Sequence, residues 1–231
     1  RYIHQHSARR KGPFVAINCA AIPDSLLEAT LFGHEKGAFS GAQNAQAGKF
    51  EQAQNGTLLL DEITEIPIGL QAKLLRVLQE REVERVGGKK AVVLDIRVVA
   101  TSNRDIADAV AQGLFREDLF YRLNVFPLLI PALRQRVLDI VPLARLFLAA
   151  HGARAGRPGL RLCVSAEAAL QRHAWPGNVR ELENIIQRAV ILAPGDIVEV
   201  DALHLAVEPR RDPAAGQRPS LPTAASATTG P

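Results

Sequence analysis

The chain has 231 residues, of which 47% are apolar, so it can bury the core of one large domain, or of a domain with a small companion. Its formal net charge of +4 permits an anionic partner without demonstrating one. No apolar run approaches the roughly 20 residues of a membrane span, so we expect no membrane contact. Cys19 and Cys163 lie far apart, which predicts buried thiols of a reducing compartment and neither a disulfide nor a zinc site.

The first third of the chain shows alternating helix and strand patterns. Basic residues followed by Gly12 and Pro13 predict that residues 1–11 are the last turns of a helix. An apolar run predicts a short strand over Phe14–Asn18, and the leucine spacing predicts a helix over residues 23–31 with Asp24 as its cap. The chain has no Met and begins at Arg1, so we expect it to be a piece of a longer protein.

Three consecutive leucines, residues 58–60, run directly into Asp61 and Glu62. Such a run predicts a strand buried on both faces of a parallel sheet, and ligands of such sheets bind at the carboxyl ends of the strands. One carboxylate there can hold Mg²⁺ on a nucleotide phosphate, and a second can polarise the attacking water. Any buried strand can also end in Asp-Glu at a polar turn, so these residues alone leave both interpretations open.

The following segments continue the alternation. Helical spacing is present in residues 70–81, 106–112 and 115–123, and strand patterns in residues 92–99 and 125–130. The first of these strands leads into Thr101, Ser102 and Asn103. Strands separated by helices predict an α/β fold with a parallel sheet.

From Asp139 the pattern is helical only, with predicted helices over residues 140–150, 165–173 and 179–192. Asn178 and Glu181 predict a capping box at the start of the last helix. From Pro209 the sequence is rich in Pro, Ala, Ser, Thr and Gly. We therefore predict an α/β subdomain over residues 1–137, a small helical subdomain over 138–208 and a disordered linker over 209–231.

A solitary phenylalanine lies among small residues between the predicted helix over residues 23–31 and the leucine run. Phe39 is either a hydrophobic tip offered to a partner or an ordinary turn residue folded into the core. The segment resembles the GAFTGA loop of σ54-dependent transcription activators, the NtrC-type branch of AAA+ ATPases; its residues are Gly37, Ala38, Phe39, Ser40, Gly41 and Ala42.

Two further segments carry the same resemblance. Residues 48–62 resemble the Walker B block of that family, and residues 175–182, Trp-Pro-Gly-Asn-Val-Arg-Glu-Leu, resemble its second-subdomain signature. The resemblance covers about residues 1–207 and implies an AAA+ P-loop NTPase-like parallel sheet with a small all-α subdomain in the bacterial cytoplasm. Less specifically, the sequence resembles the response regulators that control flagellar genes.

The resemblance also implies roles at the strand ends, with ATP and Mg²⁺ as cofactors. Asp61 would hold Mg²⁺ and Glu62 would activate water. Asn18 would be the switch residue that bonds Glu62, and Asn103 would be sensor I. An Asn satisfied by its own turn is the alternative for both amides.

Three arginines complete the implied site. Arg116 and Arg122 would be arginine fingers offered to a neighbouring subunit, which implies a hexameric or heptameric ring. Pairing of one of them with Glu117 or Asp118 within the chain is the alternative. Arg180 would be sensor II, reaching the nucleotide from the helical subdomain, and a solvated arginine in the first turn of a helix is its alternative.

In this family the loop presses on σ54, and ATP hydrolysis remodels σ54-RNA polymerase for promoter opening. Here Ser40 replaces the family's Thr, which keeps the hydroxyl group and loses the methyl group. DNA is expected to bind only through a domain not present in this chain.

No Gly-x-x-x-x-Gly-Lys-[Ser/Thr] occurs in the chain. The resemblance places the Walker A loop and its strand upstream of Arg1, so we expect weak phosphate binding and poor folding of these 231 residues alone. The competing hypothesis is a truncated, ATPase-incompetent fragment that retains only the σ54-facing loop.

Overall fold

The structure, a computed structural model, describes residues 1–205; the predicted linker over 209–231 and the last residues of the predicted helical subdomain lie outside the described residues. The chain divides into two compact units, Arg1–Leu128 and a second that begins at Leu129. The subdomain limits predicted from the sequence stay predictions. Within residues 1–205, no helix combines the length and the apolar character needed to cross a membrane.

The first unit contains strands and helices in alternation. Its strands are Phe14–Asn18 (β1), Gly33–His34 (β2), Gln46–Ala47 (β3), Thr57–Asp61 (β4), Glu82–Glu84 (β5), Ala91–Val93 (β6) and Arg97–Ala100 (β7). Its helices are Tyr2–Gln5 (α1), Asp24–Phe32 (α2), Lys49–Gln52 (α3), Ile68–Glu80 (α4), Ile106–Ala111 (α5) and Glu117–Leu123 (α6). Short 3₁₀ turns at Cys19–Ala21 and Ile63–Glu65 follow β1 and β4.

The central sheet is parallel, in the order β1-β4-β7. Its register pairs Asn18 with Asp61 and Leu60 with Ala100, so the polar ends of the strands lie at one edge. Leu58 and Leu60 are fully buried, as the continuous apolar run predicts. The α/β parallel-sheet prediction is confirmed.

Helices α2, α3 and α4 supply apolar side chains to the core of this unit. Phe32 and Phe50 stack with ring centroids 5.7 Å apart, and Leu27, Leu31 and Leu74 are fully buried beside the sheet. Burying each of these side chains stabilises the unit by roughly 1.5–3 kcal/mol before entropic costs. This packing holds β4 in the middle of the sheet, and therefore fixes the position of the carboxylates at its end.

Three local predictions are wrong. Asp24 is the first residue of α2 and makes no capping bond, since Pro23 occupies the N-cap position. The pattern over residues 92–99 belongs to two strands, because β6 pairs with β5 in a separate antiparallel hairpin whereas β7 joins the central sheet. No strand forms over residues 125–130, where most of the apolar side chains are exposed, Leu129 to 96%.

The second unit is mainly helical, with Val137–Arg154 (α7), Val164–Arg172 (α8), Asn178–Leu192 (α9) and Val200–Leu203 (α10), and a short parallel pair, Arg161–Leu162 (β8) and Ile197–Val198 (β9). Trp175 lies fully buried among the helices and donates its indole hydrogen to the Leu170 carbonyl at 2.8 Å. The apolar stripe of α9 faces this core; its buried residues are Leu182, Ile185, Ile186, Ala189 and Val190.

The capping box predicted for α9 is also wrong, because the N-cap residue makes no side-chain capping bond. Gly177 is the N-cap, and its amide donates to the Glu181 carboxylate at 2.8 Å. Asn178 adopts a left-handed conformation, φ 52°, and its side-chain oxygen accepts a bond from the Leu133 amide at 2.8 Å. Tertiary contact with Leu133 therefore uses the side chain that the local pattern assigns to capping.

Candidate functional site

Polar residues from β4 and from the segment after β7 meet at the carboxyl edge of the central sheet. Thr101 donates its hydroxyl to Asp61 Oδ1 at 2.5 Å, and the Asn103 amide donates to Glu62 Oε2 at 3.1 Å. Backbone bonds join the same segments, since the Thr101 amide donates to the Leu60 carbonyl at 2.9 Å. We call Asp61, Glu62, Thr101 and Asn103 the strand-end cluster.

The backbone of Glu62 adopts a left-handed conformation that is uncommon for a residue other than glycine. Its φ of 57° and ψ of 54° are left-handed, a conformation that costs a non-glycine residue roughly 1–2 kcal/mol. The carboxylate is half-buried and held by the Asn103 amide. Strained non-glycine residues of this kind concentrate at functional sites, which supports the role that the sequence assigns to Glu62.

Asn18 and Cys19 border the cluster at the end of β1. Asn18 lies opposite Asp61 in the register, and its side-chain oxygen accepts a bond from the Ala20 amide at 2.9 Å, which is the own-turn alternative. Cys19 is 2% exposed, and burial, with a smaller contribution from the Asp61 carboxylate, raises the pKa of its thiol to about 11. The structure thus brings Asn18 to Asp61, with its side chain bonded within its own turn.

Arg116 and Arg122 lie on the first unit, and their side chains bond to groups other than Asp61 and Glu62. Arg116 forms a fork with the Asp118 carboxylate, with nitrogen–oxygen distances of 3.0 and 2.6 Å, which is the intrachain alternative. This hydrogen-bonded pair raises the pKa of Arg116 and lowers the pKa of Asp118. Arg122 donates to the Leu78 carbonyl at 2.7 Å, and its side chain is exposed.

Arg180 lies in the first turn of α9 in the second unit, where it is exposed. Its neighbour Glu181 is bonded to the Gly177 amide, and His173 lies 3.8 Å from the same carboxylate. The turn before it is conformationally constrained, because Trp175 and Asn178 both have positive φ. The helix start that carries Arg180 is therefore fixed within its own unit.

The strand-end cluster fits a magnesium–nucleotide complex better than a metal held by protein alone. Among the described residues, no three His, Cys, Asp or Glu side chains come together as a metal-binding group. Mg²⁺ on nucleotides needs only one or two carboxylates, the rest of its shell being water and phosphate oxygens. Asp61 is only half-buried and has a second carboxylate oxygen beyond the one bonded by Thr101, so it meets that requirement.

The segment between β2 and β3, residues 35–45, is called the Phe39 loop; at its base β2 and β3 form a two-residue antiparallel pair. Within the loop the Gly37 amide donates to the Ala42 carbonyl at 2.8 Å, while Gly37 and Gly41 have positive φ. Phe39 is 39% exposed, and its ring meets the edge of His34 with centroids 5.0 Å apart. Phe39 is therefore outside the core, with one side of the ring supported.

Charged residues that no sequence motif indicates fix the base of this loop. Arg85 forms a fork with Glu51 of α3, both distances 2.8 Å, and reaches Glu35 at 3.2 Å. The hydrogen-bonded Arg85 guanidinium lowers the pKa of Glu51, and Glu51 raises that of Arg85. We call Arg85, Glu51 and Glu35 the loop clamp.

Glycines make the clamp possible by letting backbones approach. A Cβ on Gly87 would lie 2.9 Å from the Ala38 Cβ, so the turn after β5 touches the Phe39 loop. The charges of the clamp come from three segments separated by up to 50 residues, which no local pattern reveals. Clusters of glycine beside charged residues, at Gly33–Gly37 and Gly87–Gly88, were the available signal.

Comparison with protein families gives two matches. The model described as Sigma-54 interaction domain matches residues 1–129, and that described as AAA+ ATPase lid domain matches residues 134–219. The first match alone covers more than half of the chain. It includes the strand-end cluster and the Phe39 loop.

Individual relatives agree with these matches. The response regulator protein FleR of Pseudomonas aeruginosa is 63% identical over 86% of this chain and 42% of its own length. The transcriptional regulatory protein FlbD of Caulobacter vibrioides is 55% identical over 89% of this chain and 45% of its own length. The chain thus spans less than half the length of these curated relatives.

Solved structures show the same fold. NtrX from Brucella abortus in complex with ATP superposes with a TM-score of 0.81 at 38% identity, covering 93% of this chain and 48% of that one. NtrX in complex with ADP gives a TM-score of 0.79 at 40% identity, covering 87% and 44%. Both are similar to this chain across its two units.

Proposed function

The chain belongs to the sigma-54 interaction domain family, followed by an AAA+ lid domain, and from this premise we propose that it is the ATP-hydrolysing module of a transcription activator that remodels σ54-RNA polymerase. The observation that carries the proposal is the strand-end cluster. A strained Glu62, oriented by the Asn103 amide, stands beside Asp61 at the ligand-binding edge of a parallel sheet.

The cofactor of the proposed reaction is ATP with Mg²⁺. Asp61 would hold the metal, which neutralises charge that develops on the phosphates. Glu62 accepts the proton or orients the water for attack, and its carboxylate needs the fixed direction that the Asn103 amide provides. Structures of the similar protein NtrX with ATP and with ADP support nucleotide binding at this fold.

In the proposed module, the Phe39 loop is the part that contacts the partner protein. Phe39 is 39% exposed, and the base of its loop is held by the ion pairs of the loop clamp. Its side chain can therefore press on a partner while the loop keeps its position. Ser40 is exposed beside it and offers a hydroxyl group to the same partner. The partner in this proposal is σ54, held in RNA polymerase.

Assembly into a ring is part of the proposal. Arg116 would act in a neighbouring subunit only after releasing Asp118, and breaking such an exposed ion pair costs little because water solvates both charges. Arg122 is exposed and would also reach the nucleotide of a neighbouring subunit. Arg180 would contact the nucleotide from the lid. The similarity to FleR, named a response regulator, supports a regulatory role, and the resemblance of the sequence to response regulators of flagellar genes makes those genes the proposed target.

The test is ATP turnover by the longest form of the protein that its gene encodes, measured beside residues 1–231 alone. Glu62→Gln should lower turnover by about 10²–10⁴-fold, because the amide keeps the size of the side chain but cannot take a proton. Glu82→Gln is the matched control, since this half-buried carboxylate lies on β5, outside the cluster, and should leave turnover unchanged.

The loop is tested separately with Phe39→Ala. Turnover should persist while binding to σ54, measured with purified σ54 and a transition-state analogue of ATP, is lost. Leu26→Ala, which removes a comparably exposed apolar side chain from α2, should retain binding. If the longest form of the protein did not hydrolyse ATP, the proposed ATPase function would be wrong and only binding of the loop to σ54 would remain. If Phe39→Ala hydrolysed ATP and still bound σ54 normally, the assignment of the Phe39 loop as the σ54-binding surface would be wrong.

A further inference from the structure

We propose that Thr101 is a positioning residue for Asp61, holding one carboxylate oxygen so that the other faces the nucleotide-bound metal; this inference rests on the proposed ATPase function. Neither the sequence patterns nor the family resemblance assigns Thr101 a role. Its hydroxyl lies 2.5 Å from Asp61 Oδ1.

The backbone around Thr101 fixes the donor. Its amide donates to the Leu60 carbonyl, and its carbonyl accepts a bond from the Ile63 amide, both at 2.9 Å. These two bonds reach the residues immediately before and after the Asp61–Glu62 pair. The backbone of Thr101 is therefore bonded to residues on both sides of the two carboxylates, which fixes the point from which its side chain extends.

The side chain suits this task. Threonine is branched at Cβ and restricted in χ1, so a hydroxyl fixed by the backbone stays aimed at its acceptor. A hydroxyl bonded to an ionised carboxylate is one of the stronger hydrogen bonds in proteins, with short oxygen–oxygen distances. The bond takes up one oxygen of Asp61 and limits rotation of the carboxylate, leaving the second oxygen in a defined place.

Metal binding makes this orientation matter. Mg²⁺ demands nearly ideal octahedral geometry, so a rotating carboxylate would satisfy it for only part of the time. In the described residues Asp61 has no ion pair with an arginine, lysine or histidine that would orient it instead. The Thr101 hydroxyl is consequently the side-chain group assigned to this orientation.

The adjacent Ser102 does not duplicate the role. Its hydroxyl lies 3.2 Å from the Thr64 hydroxyl, accepts a bond from the Arg104 amide at 3.0 Å and donates to the Arg104 carbonyl at 2.9 Å. Ser102 is thus engaged within its own turn. Removal of the Thr101 hydroxyl should leave Asp61 Oδ1 without a protein donor.

The experiment uses the full-length protein with Mn²⁺ as the probe, titrated by electron paramagnetic resonance in the presence of a non-hydrolysable ATP analogue. Thr101→Val keeps the shape of the side chain and removes the hydroxyl. It should weaken Mn²⁺ binding by about 10-fold, at the low end of the range for groups that orient metal ligands. Thr101→Ser restores the hydroxyl and should recover most of the affinity.

Thr64→Val is the matched control, because it removes a neighbouring hydroxyl that contacts Ser102 and not Asp61. It should bind Mn²⁺ as the unmodified protein does. Turnover gives the second readout: Thr101→Val should need more Mg²⁺ for half-maximal rate, with the rate at saturating Mg²⁺ largely kept. A merely structural role would not produce a defect that excess metal repairs and serine rescues.

Equal Mn²⁺ affinity of Thr101→Val and the unmodified protein would overturn the inference, even if turnover and the Glu62→Gln defect stand. A Thr101→Val protein with weak Mn²⁺ binding that Thr101→Ser does not rescue would overturn it as well. If the unmodified protein bound neither Mn²⁺ nor nucleotide, the proposed function would fail, and this inference with it.

Discussion

The strand-end cluster and the loop clamp lie in the same unit and are held together by different forces. The cluster consists of short polar side chains placed by backbone register, above fully buried leucines of β4. The clamp joins three charged side chains from separate segments, through bonds of 2.8–3.2 Å at a half-exposed surface. One region depends on sheet packing, and the other on charge and close backbone contact.

This difference indicates how each region can respond. A cluster fixed by register moves only if strands move, so its geometry can be maintained through a reaction. A clamp of exposed and half-buried ions can open at modest cost and close again, as a loop that engages a partner requires. The following predictions separate the two regions, from the largest expected effect to the smallest.

Leu60→Ala should disrupt the strand-end region most. The side chain is fully buried directly before Asp61, and truncation at such sites costs about 2–5 kcal/mol. Urea unfolding measures the loss, with Leu26→Ala, 49% exposed, as a control that should change stability little. Equal losses for the two variants would contradict the assignment of β4 to the core.

Gly48→Ala should disrupt the base of the loop. A Cβ there would lie 2.3–2.5 Å from backbone atoms of residues 31–33, which permits no accommodation by side-chain movement. We expect a loss of about 3 kcal/mol in unfolding free energy. Gly69→Ala in α4, with nothing within 4 Å, should instead stabilise by roughly 0.5–1 kcal/mol, and the opposite order would refute the close approach.

Acidification should weaken the clamp through protonation of Glu51. The folded pKa of Glu51 lies below its ordinary value of 4.5, so its stabilising contribution is complete above that pH and is lost as pH falls through the folded pKa. The protection of the amides of residues 35–42 against hydrogen exchange, taken relative to the intrinsic exchange rate at each pH, should fall below about pH 4.5. Glu51→Gln should show fast exchange already at neutral pH and lose that acid-dependent step; retention of the step would contradict the assignment.

The smallest effect concerns thiol labelling. Cys19 beside the cluster is buried with a pKa of about 11, so at pH 8 it should resist iodoacetamide. Cys163 is half-buried, and hydrogen bonds from Ser165 and the Ala166 amide lower the pKa of its thiol, so it should react first. Mass spectrometry of peptides measures both rates, and faster labelling of Cys19 would show that the strand ends open readily.

The sequence by itself determined the parts whose signal is local. The leucine run before Asp61 and Glu62 predicted a buried parallel strand, because uninterrupted apolar residues suit a strand covered on both faces. The small residues around Phe39 left an exposed tip and a buried turn both open, and only the family resemblance favoured the exposed loop. The helical periodicity of residues 179–192 predicted α9 almost to its ends. These features depend on neighbours in the chain, which a sequence displays directly.

Tertiary structure alone decided the remainder. The Thr101–Asp61 bond, the Arg85 clamp and the left-handed Glu62 depend on residues 34 or more positions apart, or on a backbone held by packing. Asn178 left its predicted capping role because Leu133 offers its amide, and residues 125–130 form no strand despite their apolar character. A strand exists only where a neighbour supplies its hydrogen bonds, and that neighbour is a property of the fold, not of the segment.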